Sequence, residues 1–168
     1  MLDWLARTFE KKRAALHDTL QQSVSAGAPV TLQKEHPEWR ELGSKALDDN
    51  ERTALTKKCL LHFLETARTE GKVVAALGAS TKGNVLLQYC GITEQLIKFV
   101  AEVNPEKFAC YTPGSWLPIV PEQQLIDSKP DYVLVLPWHF RKFFITNKKF
   151  SGMNLIFPLP ELEVIRVS

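Results

Sequence analysis

Cysteine is scarce in this 168-residue sequence: Cys59, Cys90 and Cys110 are widely separated and odd in number. That argues against a disulfide framework and against a four-cysteine zinc site, and no metal is expected. It suits a reducing compartment. Neither sign of charge is in excess, because 21 Lys and Arg stand against 19 Asp and Glu, a formal net charge of +2. Proteins that bind nucleic acid through phosphate neutralisation show a clear basic surplus, so nucleic acid is not an expected partner. No apolar run approaches the roughly 20 residues that cross a bilayer. The amino-terminal stretch carries Asp3, Arg7, Glu10, Lys11, Lys12 and Arg13, which leaves no apolar signal-peptide core. The expectation is a soluble, cytoplasmic protein with no membrane partner.

What is present is ordinary for a folded domain. Hydrophobic residues make up 45% and charged residues 24%, which argues against a disordered or fibrous chain. Residues 2–24 read as an amphipathic helix, with Leu2, Leu5, Phe9, Leu16 and Leu20 at helical spacings. Residues 25–29 (SAGAP) end it. Residues 30–45 are irregular and polar and read as a linker. A second helix is expected over residues 50–69, capped by Asp48 or Asp49, striped by Leu55, Cys59 and Phe63, and stopped at Gly71. Residues 1–49 are thus a helical extension and linker, and residues 50–168 the main domain.

From Lys72 the pattern changes. KVVAALG is a short continuous apolar run, as in a strand buried on both faces of a parallel sheet. A turn, ASTKGN, and a short helix, VLLQYC, follow it. Residues 97–103 read as a second strand, residues 121–128 as a helix with proline in its first turn, and YVLVL as a central strand. Residues 138–149 read as a helix, residues 154–157 as a strand, and residues 162–167 as a strand closing an edge. Strands alternating with helices indicate an α/β sheet with right-handed crossovers.

The chemistry-bearing stretch is Gly78, Ala79, Ser80, Thr81, Lys82, Gly83 and Asn84. It follows a strand and opens a helix. Ligands of open α/β sheets bind beyond the carboxyl ends of the strands. Free N–H groups at a helix N-terminus favour an anion there. Small residues admit a ligand to the backbone, hydroxyls come from Ser80 and Thr81, and charge comes from Lys82. The run matches neither G-x-G-x-x-G nor G-x-x-x-x-G-K-[ST], so it specifies neither a dinucleotide nor an NTPase site. Two readings stay open: a phosphate or carboxylate cradle, or a tight turn whose glycines serve the backbone alone.

Several motifs then fall in order: G-A-x-x-K-G-N at residues 78–84, Asn104-Pro105, Y-x-P-G at residues 111–114, P-D-Y-x-x-x-L-P-W at residues 130–138, and P-x-P at residues 158–160. Together they resemble the C-terminal domain of S-adenosylmethionine-dependent sugar C-methyltransferases, from about Gly71 to the end. The resemblance implies a Rossmann-like, mostly parallel sheet flanked by helices. It implies binding of a nucleotide-linked deoxysugar, or docking on a methyltransferase core. A subunit completing a split enzyme in trans and a non-catalytic interaction module are the alternatives. Such enzymes also carry a zinc-binding segment and a methyl-donor domain. Residues 1–70 supply neither four clustered cysteines nor an acidic G-x-G loop. S-adenosylmethionine is therefore expected only through a separate domain or partner, the chain is not expected to be a complete enzyme alone, and no catalytic residue is assigned.

Other candidates each carry two readings. Trp138 and His139 follow the strongest strand; Trp138 can stack on a base or sugar or cover the core, and His139 can orient a hydroxyl or simply start a helix. Tyr111 can close over a ligand or anchor its turn. Asn104 can meet a ligand or make an ordinary Asn-Pro turn. Arg141, Lys142, Lys148 and Lys149 form a basic cluster that either attracts an anion or is a solvated face. Lys82 either contacts a phosphate or is structural, pairing with Glu102 or another acid.

Overall fold

The computed structural model describes residues 30–31 and 49–168. The expected helix over residues 2–24 lies outside them. Strand β1 is Val30–Thr31, and helix α1 is Asp49–Thr69. Then come β2 (Val74–Leu77), α2 (Thr81–Cys90), β3 (Val100–Glu102), β4 (Ile119–Pro121) and α3 (Glu122–Ser128). The chain closes with β5 (Tyr132–Val135), α4 (Arg141–Thr146), β6 (Asn154–Phe157) and β7 (Glu163–Arg166).

Among the described residues the strands form a seven-stranded sheet in the order β1-β7-β6-β5-β2-β3-β4. The block β6-β5-β2-β3-β4 is parallel; β7 runs antiparallel to β6, and β1 antiparallel to β7. Strand β2 is central because β3 and β4 are laid down on one side of it and β5 and β6 on the other. This reversal, at β2 and β5, is the topological switch point of a Rossmann-like sheet. Ligand crevices of such sheets open there.

Alternation along the strands builds two cores. Val74, Ala76, Leu134, Leu136 and Ile156 face α1 and α2, where Leu60, Phe63, Leu64 and Leu87 are buried. Ala75, Leu77, Val133, Val135, Leu155 and Phe157 face Leu125 of α3 and Phe144 of α4. With both faces covered, β2 and β5 can be almost wholly apolar, which is the run visible in the sequence. Phe63 of α1 meets Tyr132 edge-on at 5.0 Å, tying this helix to the sheet.

Several expectations shift. Val30–Thr31, within the expected linker, is a strand pairing Val30 with Val164 and Thr31 with Glu163. Strand β7 is thus paired on both sides, and β1 forms the edge. The expected strand over 97–103 narrows to Val100–Glu102, and Pro121 ends β4 rather than sitting inside α3. The expected helix over 138–149 is broken into a 3-10 turn at Trp138–Phe140, helix α4, and a 3-10 turn at Lys148–Phe150. Asn147 causes the second break, because its side-chain oxygen accepts from Lys149 N at 3.0 Å and caps the new turn.

Candidate functional site

The turn after β2 reaches helix α2 within three residues. Gly78 has φ +87°, and a Cβ there would come within 2.7 Å of Pro137 Cδ, just beyond β5. Ser80 caps α2: its hydroxyl accepts from Gly83 N at 3.1 Å. Gly83 lies against β5's exit, where a Cβ would stand 2.6 Å from Leu136 Cβ. Both glycines therefore have backbone duties of their own, as the turn reading held.

The turn's N–H groups are only partly open. Ala79 N donates to Glu102 Oε2 at 2.9 Å, and Ser80 N to Gly78 O at 2.8 Å. With Gly83 N bound to Ser80, only Thr81 and Lys82, at the first two helical positions, lack an intrahelical acceptor. Both are exposed. The Lys82 ammonium makes no ion pair among the described residues. The amide oxygen of half-buried Asn84 is buried without a hydrogen-bond partner among them.

Glu102, at the carboxyl end of β3, is 8% exposed. It accepts from Val103 N at 2.8 Å and Asn104 N at 3.2 Å, and pairs with Lys107 Nζ at 3.3 Å. Lys107 Nζ also donates to Ala79 O at 2.9 Å. One acid and one base thus hold both backbone polar atoms of Ala79. Burial by itself would raise the carboxyl's pKa, but the N–H groups of Asn104 and Val103 and the Lys107 ammonium outweigh it and hold the pKa below the ordinary range. The partner of Glu102 is therefore Lys107, not Lys82.

Beyond the carboxyl ends of β2, β3 and β5 lies a cavity of about 430 Å³. Gly78, Ala79 and Ser80 line one side, Glu102, Val103 and Lys107 another, and Phe140, Phe143 and Asn147 a third. Glu122 of α3 and Lys149 also reach it and pair with each other. Its volume falls within the usual range for small-ligand sites.

The expected site residues do not all converge here. Ser80 and the two residues before it line the cavity, whereas Thr81, Lys82, Gly83 and Asn84, in the first turn of α2, are not among its lining residues. Asn104 sits beside Glu102, and its side chain accepts from Glu106 N at 3.1 Å, capping the turn Pro105–Lys107. Trp138 is half-buried and packs on both cores, while His139 is exposed with its ring 4.3 Å from that of Phe140. Tyr111 lies elsewhere. It bridges to Pro118, whose carbonyl accepts from Val100 N at the start of β3, so the residue 111–117 turn lies at the amino ends of the strands. That turn is braced by the buried Thr112–Ser115 hydroxyl contact at 2.7 Å. Arg141 is also committed, to Glu163 at 2.8 Å.

Glu102, Lys107, Phe140, Phe143 and Asn147 were not foreseen. One signal was available for Glu102: an acid some twenty residues beyond a glycine turn, ending the next strand, is a recurrent feature of Rossmann-like sheets. Phe140 and Phe143 read in sequence as the apolar side of a helix.

The sheet order and the cavity at its switch point define an α/β domain of the Rossmann-like class. A family model described as the C-methyltransferase C-terminal domain matches residues 8–160, and the chain belongs to that family. It is 39% identical over 99 residues to C-methyltransferase NovU of Streptomyces niveus, a match covering 57% of this chain and 24% of that protein. The chain thus spans about a quarter of this curated relative.

Proposed function

We propose that this domain binds a nucleotide-linked sugar in the carboxyl-end cavity and presents it to the methyl-donor-binding part of a C-methyltransferase. The observation that carries the reading is the cavity itself, at the switch point of the sheet, in a member of this family. Ser80, Thr81 and Lys82 would meet the phosphates, since two N–H groups and an unpaired ammonium lie together at the start of α2. S-adenosylmethionine would be held by a separate domain or partner: Glu102, in the place where such sheets hold a ribose, already has Ala79, Val103, Asn104 and Lys107 on its oxygens. Its deoxysugar-biosynthetic role would be played in the cytoplasm, which suits Cys59, Cys90 and Cys110 all being free. Among the described residues no helix is long and apolar enough to cross a membrane.

A non-catalytic docking module is the second reading, favoured by Val103, 69% exposed at the cavity rim. Calorimetric titration of the chain with nucleotide-linked keto-sugars and with S-adenosylmethionine tests both. The expected result is one-to-one binding of the first and none of the second. Tight binding of S-adenosylmethionine, or of neither, would overturn the assignment.

A further inference from the structure

Phe140 and Phe143 are 58% and 59% exposed, yet they line a concavity rather than a flat surface. Large aromatic faces left in water at a cavity suit a planar ring as occupant. The charged groups around them are already neutralised in pairs, Glu102 with Lys107 and Glu122 with Lys149. The space between therefore favours a neutral group over an ion. One polar group in the wall is unspent. The Oδ1 of Asn147 accepts from Lys149 N, which sets the orientation of the amide. Its NH2 group donates no hydrogen bond among the described residues. An aromatic wall with one oriented donor matches a flat heterocycle that carries a ring carbonyl.

We infer that Phe140, Phe143 and the Asn147 amide hold the carbonyl-bearing nucleobase of the ligand, with its phosphates directed past Ser80 toward Thr81 and Lys82. This rests on the reading of the cavity as a nucleotide-sugar site. The base would stack on the phenyl faces, and the Asn147 NH2 would donate to its carbonyl. The three residues would then set which base is accepted, while the turn after β2 would read phosphate alone.

The test is calorimetric titration of the full chain with uridine diphosphate and with inorganic pyrophosphate, repeated on Phe143→Ala and Asn147→Asp. Phe143 is exposed, so its removal should leave the fold intact. Asn147→Asp keeps the oxygen that caps Lys148–Phe150, loses the donor and adds a negative charge, whose general effect on anion binding the pyrophosphate titration measures. Uridine diphosphate should bind about fivefold or more tighter than pyrophosphate, the factor expected for one stacked base. Phe143→Ala should remove about that factor for uridine diphosphate and leave pyrophosphate unchanged, and Asn147→Asp should weaken uridine diphosphate by about that factor more than it weakens pyrophosphate. If uridine diphosphate binds but neither substitution weakens it, the inference fails while the nucleotide-site reading stands; the aromatic wall then belongs to a protein interface. If neither probe binds, the nucleotide-site reading fails and the inference with it.

Discussion

Gly83 is where helix α2 comes nearest to the chain leaving β5. A methyl group there would stand 2.6 Å from Leu136 Cβ, a side-chain root that cannot swing away. Gly83→Ala should cost about 1–3 kcal/mol, as overpacked sites do, read by denaturant unfolding. At Glu102 the effect is electrostatic. Its pKa is depressed in the folded protein, so its contribution is present above the ordinary carboxyl value near 4.5 and is lost as pH falls through the lower folded value. The parent should lose stability through this acidic window, and Glu102→Gln should lose less there. At neutral pH that variant should be weaker by about 1.5–3 kcal/mol, the range for hydrogen bonds to a charged group. Lys82 gives the opposite pattern. It is exposed and unpaired, so Lys82→Ala should leave the melting temperature unchanged and weaken nucleotide-sugar binding by about 1.5–3 kcal/mol. A fall in melting temperature with affinity intact would make Lys82 structural.

Among the elements, α1 depends most visibly on one side chain. Phe63 is 2% exposed and edge-on to Tyr132, so Phe63→Ala should cost about 3–5 kcal/mol by thermal or chemical denaturation. The elements that sequence revealed are those whose burial writes a pattern. Strands β2 and β5, covered on both faces, leave runs of apolar residues, and α1 leaves a stripe ended by Gly71. Strand β1 leaves none, because two residues paired to Glu163 and Val164 have no period to display. Residues 138–149 misled for a related reason: their apolar spacing fits one helix, but a side-chain cap at Asn147 outbids the helical hydrogen bond locally. The site divides likewise. That Gly78 to Ser80 form a turn between a strand and a helix was legible, because small residues after a strand have few other uses. The separation of Tyr111 from it was not, since its adjacency to β4 places it at the far end of the sheet, and only the register of β3 against β4 shows which end.

For the whole molecule, the three thiols form a probe of native packing. Burial pushes Cys59 and Cys90 up to about 11, whereas Cys110 is exposed. At neutral pH a disulfide reagent should modify one thiol quickly in the native protein and all three after denaturation. Rapid native labelling of more than one would show that the α1–α2 layer opens readily. Strand β1 bears on the molecule in another way. It pairs with β7 through the backbone at one margin of the sheet, and it screens the outer N–H and C=O groups of β7 from a second molecule. A shortened chain beginning at Asp49 would keep the helices and strands described over residues 49–168 and present the outer margin of β7 bare to its neighbours. Such a protein should associate edge to edge, read as a rise in sedimentation coefficient with concentration, so that the pairing of two residues decides whether it stays dispersed.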